Sequence, residues 1–211
     1  DIEKAYLRIK VLGYPNKGES IMISLRYDEV ELYNIITDCY EIYGSHSWAN
    51  LLSGNTRIDA FIWTHPDEDH SLGVQTLLDK FDPDGRARIF VPTSLTKDLL
   101  ERNNKQDAVS TYLYLKNKYN KGRRRQWNEV SLSEYESPRF LISKTIFETK
   151  TNVPLDFKLG FMAPIGSIVN RRIDIEKMSS GQMNDMSLFF IVQINSVNYI
   201  FGGDLAKQTI Q

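Results

Sequence analysis

Cysteine is almost missing from this chain: Cys39 is the single one in 211 residues. That excludes an intrachain disulfide framework and suits a reducing compartment, so a cytoplasmic setting is expected. Cys39 lies in an apolar stretch and reads as a small core residue rather than a nucleophile. No apolar run reaches the ~18 residues of a membrane span, and no signal-peptide pattern opens the chain, so no membrane is expected for this segment. An excess of one charge is lacking too, with 26 Lys and Arg against 27 Asp and Glu and a formal net charge of −1. No global field draws nucleic acid or membrane, so any such attraction has to be local.

What remains is ordinary for a soluble globular protein, 41% hydrophobic and 25% charged. The length suits one domain, residues 1–211, with a substantial core. The chain opens on Asp1 rather than a methionine. It is therefore expected to be a piece of a longer chain, with further domains or partner proteins.

Histidine is scarce, three residues in all, and two of them share one stretch, Phe61-Ile62-Trp63-Thr64-His65-Pro66-Asp67-Glu68-Asp69-His70-Ser71-Leu72-Gly73. Ala60 to Trp63 reads as a short buried strand, and Gly73 opens an apolar helix. Strand ends hold side chains rigidly while the following loop lets them converge. Imidazoles and carboxylates are the ligands of hydrolytic divalent metals. Asp69 and His70 are placed to serve one ion, and His65 and Asp67, two apart on an extended chain, a second. A polar surface loop is the plain alternative. The third histidine, His46, sits at the start of a short helix expected over 45–53 and reads as a surface or capping residue.

The stretch resembles the His-x-His-x-Asp-His signature of the metallo-β-lactamase fold superfamily, with Asp67 in place of the second histidine. It is most similar to the lactamase-like domain of bacterial DNA-uptake (competence) channel proteins, where His-Pro-x-x-Asp-His is usual. That resemblance implies an α/β fold, an αββα sandwich of two mixed sheets flanked by helices. It makes Asp38, at a strand end, a support for the metal loop. Asn184-Asp185-Met186-Ser187 resembles the segment these relatives carry before the last hairpin, so Asn184, Asp185 and Ser187 become supporting residues. Gly202-Gly203-Asp204 resembles the motif whose aspartate bridges two metals, with glycines that let the backbone approach closely. The superfamily's third-motif histidine is lacking after His70, which leaves one ion or two open. Such an oxygen-rich set suits Mn²⁺ at least as well as Zn²⁺.

The expected activity is metal-dependent hydrolysis of phosphodiesters, hence a nuclease. His65, Asp67, Asp69, His70 and Asp204 would hold the metal, and Asp69 would orient the attacking water. A basic segment, Lys116, Lys118, Lys121, Arg123, Arg124 and Arg125, interleaved with Tyr119 and followed by Trp127, is a candidate nucleic-acid contact. Its plain alternative is a solvated helix end. A different class stays open: a metal-poor lactamase-like module that binds or regulates within a larger protein. Lactam or thioester hydrolysis is weaker, because those enzymes resemble the three-histidine pattern.

Along the chain, strands are expected over 5–12, 20–27 and 30–39, with a turn at 13–18. An amphipathic helix is expected over 73–81 and a buried strand over 87–91. Helical composition covers 95–121, with Leu99, Leu100, Val109, Tyr112, Leu113 and Leu115 as core candidates. Strand patterning resumes at 140–147 and 157–162, and 163–185 reads as a long polar connection. An apolar hairpin spans 188–201.

Overall fold

In a computed structural model, residues 4–14, 17–40, 48, 52–121, 126–133, 138–147, 154–173 and 177–202 are described. The fold is mixed α/β. Alternating residues build β1 (Ala5–Tyr14), β2 (Lys17–Tyr27) and β3 (Val30–Thr37), which pair antiparallel in sequence order. Pairing runs out to Tyr14 and Lys17, so the strands take up much of the expected turn. β4 (Ala60–Ile62), β5 (Arg88–Pro92) and β6 (Trp127–Val130) then join in parallel, giving the order β1-β2-β3-β4-β5-β6.

Helices α1 (Glu68–Ser71), α2 (Val74–Phe81), α3 (Lys97–Arg102) and α4 (Gln106–Tyr119) lie between these parallel strands in the chain. The second sheet is antiparallel, order β10-β9-β8-β7, from β7 (Arg139–Phe147), β8 (Pro154–Ala163), β9 (Phe189–Ile194) and β10 (Val197–Phe201).

The short parallel strands show why two cores form. Side chains alternate across a strand. Phe61 and Trp63 therefore enter one core with Ile36, Ile89 and Val91, packed on Val74, Leu77, Leu100 and Leu115 of the helices. Ala60 and Ile62 enter the other, with Ile35 and Phe90, against Phe157, Leu159, Phe161, Phe190 and Val192 of the second sheet. The layers thus run helices, six-stranded sheet, four-stranded sheet. Every buried apolar side chain from a described helix lies in the first core. A second outer helix layer is not among the described residues.

The expected long polar connection at 163–185 is corrected. It contains α5 (Gly166–Ile173) and α6 (Ser180–Asn184). Its polar composition hid a capping box at Ser179 and Gln182 and the buried side chains Val169, Met178 and Met183. Leu113 is a second correction: it is 38% exposed. The buried face of α4 follows Ala108, Thr111, Tyr112, Leu115 and Tyr119, and Leu113 falls off that stripe. Of the helix expected over 45–53, only Trp48, Leu52 and Ser53 are described; Trp48 is helical and fully buried. His46 lies outside the described residues. Cys39 is buried in the first core, as expected.

Candidate functional site

Parallel strands β3 to β6 all point one way, so their C-terminal ends share one edge of the sheet. Asp38 follows β3 there, and Thr64 to His70 follow β4. Open α/β sheets bind ligands beyond this edge. Two backbone bonds tie the segments together: Asp38 N–H donates to Ile62 O at 2.9 Å and Cys39 N–H to His70 O at 3.2 Å.

Asp38 is the hub. One oxygen accepts from Thr64 N–H at 2.7 Å; the other accepts from the Thr64 hydroxyl and lies 2.8 Å from His70 Nδ1. Asp38 is 4% exposed and His70 6% exposed, so this contact is dry. A carboxylate only accepts, so the proton belongs on Nδ1 and the lone pair on Nε2. Asp38 holds this place at φ 55°, a left-handed backbone that aspartate tolerates better than branched residues. Asp38 thus ties the end of β3 to the loop that follows β4.

The two imidazoles lie side by side, ring centroids 3.9 Å apart and tilted by 50°. His65 Nε2 is 4.0 Å from Asp67 Oδ2, and His70 Nε2 is 3.8 Å from Asp69 Oδ1. Both histidines are buried, whereas the Asp67 and Asp69 side chains are 21% and 44% exposed. Four of the expected metal residues are therefore brought to one place, imidazoles inward and carboxylates toward solvent. Among the described residues no group of three or more His, Cys, Asp and Glu side chains meets as an ion cage. Asp204, the fifth expected ligand, lies outside the described residues.

The loop is held from behind. Ser71 Oγ donates to Asp67 O at 2.6 Å and Thr111 Oγ1 to Ser71 O at 3.1 Å, which pins α1 to α4. The Trp63 indole N–H reaches Ser71 Oγ at 3.3 Å. The Asn184–Ser187 segment also arrives here, because Leu188 N–H donates to Thr64 O at 2.8 Å. Asp185 and Ser187 are buried beside this junction, at 2% and 0% exposure. Asn184 accepts from Ser187 N–H through its backbone oxygen at 3.0 Å, which closes a turn.

Two residues of the site escaped sequence reasoning. Thr64 gives Asp38 both its backbone and its hydroxyl proton; its position between a strand and His65 was the available signal. Lys105, at the start of α4, places Nζ 2.6 Å from Asp67 Oδ1. Nothing local in the sequence joins Lys105 to the histidine stretch; the folding of α3 and α4 against it does.

Of the basic segment, the described Lys118 and Lys121 are not at this edge. Lys118 and Lys121 line a cleft beside residues that precede β4, β5 and β6, at the opposite end of the parallel strands. Lys116 donates to Tyr112 OH at 2.6 Å, and Lys118 to Asp79 Oδ1 and Tyr114 OH, both at 2.9 Å. Burial opposes the charge of Asp79, but the hydrogen bonds from Tyr114 and Lys118 outweigh it and keep its pKa below the ordinary value. Tyr119, a candidate for stacking on a base, is a core residue at 1% exposure whose hydroxyl bonds Asp82 at 2.8 Å. Trp127 packs edge-on against Tyr112. Arg123, Arg124 and Arg125 lie outside the described residues.

No family model matches the chain, and no curated protein matches it. The functional reading therefore rests on the site's geometry and the resemblance of its motifs.

Proposed function

We propose that this chain is a metal-dependent hydrolase of phosphodiesters, a nuclease with the αββα metallo-β-lactamase-like architecture. The observation that carries the reading is the buried Asp38–His70 contact at 2.8 Å. A carboxylate on Nδ1 is the partner that metal-ligating histidines use to fix their tautomer and raise their basicity. The same arrangement in a purely structural pair would not need a second imidazole and two partly exposed carboxylates next to it.

The donor chemistry fits a divalent ion: two imidazoles turn Nε2 toward Asp67 and Asp69. His65, Asp67, Asp69 and His70 would hold it, with Asp204 as the further ligand that the motif resemblance implies; Mn²⁺ and Zn²⁺ both suit that set. Such an ion, when bound, lowers the pKa of a water molecule and neutralises charge growing on a phosphoryl group. The chain's own residues do the rest. Asp38 keeps the His70 proton on Nδ1, Thr64 holds Asp38, and Asp69, the most exposed of the cluster, orients the attacking water. Both imidazoles are buried, which strengthens the electrostatic interactions they make at the edge.

A cleavage assay on single- and double-stranded DNA and RNA with Mn²⁺, Mg²⁺ or Zn²⁺ tests this. Cleavage that depends on the metal and is lost in His65→Ala and His70→Ala is expected. No cleavage of any substrate with any of the three ions would retire the reading.

The Lys105–Asp67 ion pair favours a second reading, a metal-poor binding or regulatory module of a larger protein. An ammonium already neutralises Asp67 there without an ion. Elemental analysis of the protein, including any natural extension past Gln211, separates the two: well under one ion per chain supports the module.

A further inference from the structure

The parallel strands have a second edge, where their N-terminal ends lie. Arg57 precedes β4, Asp84 and Arg86 precede β5, and Lys121 and Gln126 precede β6. A cleft of about 610 Å³ there is lined by Arg57, Arg86, Lys118, Lys121 and Gln126, with Asp84 as its lining carboxylate. His65 and His70 follow β4 instead. The five residues of β5 alone separate the two edges by roughly 16 Å, at ~3.3 Å per residue.

The cations are not held equally. Lys118 is structural, bonded to Asp79 and to Leu78 O at 3.2 Å. Arg57 meets Asp59 at 3.3 Å and Arg86 meets Asp84 at 2.9 Å, yet the two arginine side chains are 68% and 66% exposed. The Arg86–Asp84 pair is exposed on both sides, so an incoming phosphate can replace that carboxylate at little cost. Arg57 keeps a partly buried partner in Asp59 and offers its exposed guanidinium edge. A guanidinium prefers the bidentate geometry that phosphate oxygens offer. Lys121 is exposed at the rim.

We propose that this cleft is a second site, separate from the histidine cluster, that binds the phosphodiester backbone of nucleic acid through Arg57, Arg86 and Lys121. In choosing nucleic acid as the ligand it rests on the hydrolase reading. A phosphate held in the cleft is a strand length from His70, so the cleft contributes affinity and register rather than chemistry.

The test is fluorescence anisotropy of the whole chain with a labelled single-stranded oligonucleotide whose phosphorothioate linkages resist cleavage. Arg86→Glu and Lys121→Glu should each weaken binding about five- to tenfold, and each lost phosphate contact should flatten the log–log salt dependence by about 0.7. Both cleft side chains are exposed, so the melting temperature should stay put and report an intact fold. Affinity unchanged in Arg86→Glu and Lys121→Glu, or no binding at low salt, overturns the proposal. Displacement of the strand by submillimolar inorganic phosphate would assign the cleft to a small phosphate ligand and also overturn it. Binding that depends on the cleft, with no cleavage in the metal assay, retires the hydrolase and keeps the site; cleavage with binding indifferent to both charge reversals does the reverse.

Discussion

Asp38 serves two segments with one carboxylate, and that makes it the most informative residue to change. Asp38→Asn keeps the volume but sets an amide against a buried imidazole N–H. A stability loss of about 1–3 kcal/mol is expected from the unsatisfied group. A roughly 10- to 100-fold loss of Mn²⁺ affinity should accompany it, as for other outer partners of ligating histidines. Urea unfolding and titration calorimetry read the two effects separately; unchanged Mn²⁺ affinity would remove Asp38 from any role in metal binding. Lys105 gives a prediction of opposite sign. Its ammonium holds Asp67 and on the proposed metal-site reading would compete with a divalent ion for it, so Lys105→Met should tighten Mn²⁺ binding by about fivefold, the equivalent of ~1 kcal/mol for a partly exposed pair. Weaker binding would mean that Lys105 holds Asp67 in position instead of competing for it. His65, Asp67, Asp69 and His70 were legible as a group because they are adjacent in the chain. Lys105 was not, because an ion pair between distant segments leaves no trace in local composition.

At the scale of elements, α6 shows how polar composition conceals structure. Ser179 accepts from Gln182 N–H while the Gln182 side chain accepts from Ser179 N–H, at 3.3 and 2.9 Å. Ser179→Ala should cost about 1 kcal/mol of unfolding free energy by urea titration. A larger loss would show that α6 also holds the Leu188–Thr64 junction in place. The entry to β4 carries a pH dependence. Burial, first, raises the Asp59 carboxyl above its ordinary 3.8, and the Asn34 N–H and Arg57 offset this only in part. The folded chain therefore holds that proton more tightly than the unfolded chain. Stability from this group is greatest below pH 3.8 and falls as pH rises through the raised value. Asp59→Asn should remove that fall, so its melting temperature should gain on the parent between acid and neutral pH. A melting-temperature difference that stays constant across that range would contradict a raised Asp59 carboxyl. The first strand was readable from alternation and β4, β5 and β9 from apolar runs, but strand ends were not, because the Tyr14–Lys17 pairing is decided by the partner strand.

Across the whole molecule, the two edges of one parallel sheet carry different chemistry. The C-terminal edge gathers imidazoles and carboxylates, and the N-terminal edge gathers arginines and lysines around a polar cleft. If the first edge binds an ion, chelation should lower the melting temperature and Mn²⁺ should restore it. The gain should be about 2.7 kcal/mol at a hundredfold excess over Kd. No response to either reagent would favour the metal-poor module. No described helix is long and apolar enough to cross a membrane.

The chain's order of residues determined by itself what is local. That covers the buried strand running into His65–His70, the amphipathic α2 and the apolar hairpin at 188–201, because each follows from spacing within a few residues, and the exclusion of an intrachain disulfide, which follows from the single cysteine. Tertiary structure alone decided which distant groups became neighbours: Asp38 on His70, Thr64 on Asp38, Lys105 on Asp67, and Lys121 an edge away from all of them. Sheet topology sets those distances, and topology is chosen by burying two apolar faces at once, a global condition that no short window contains.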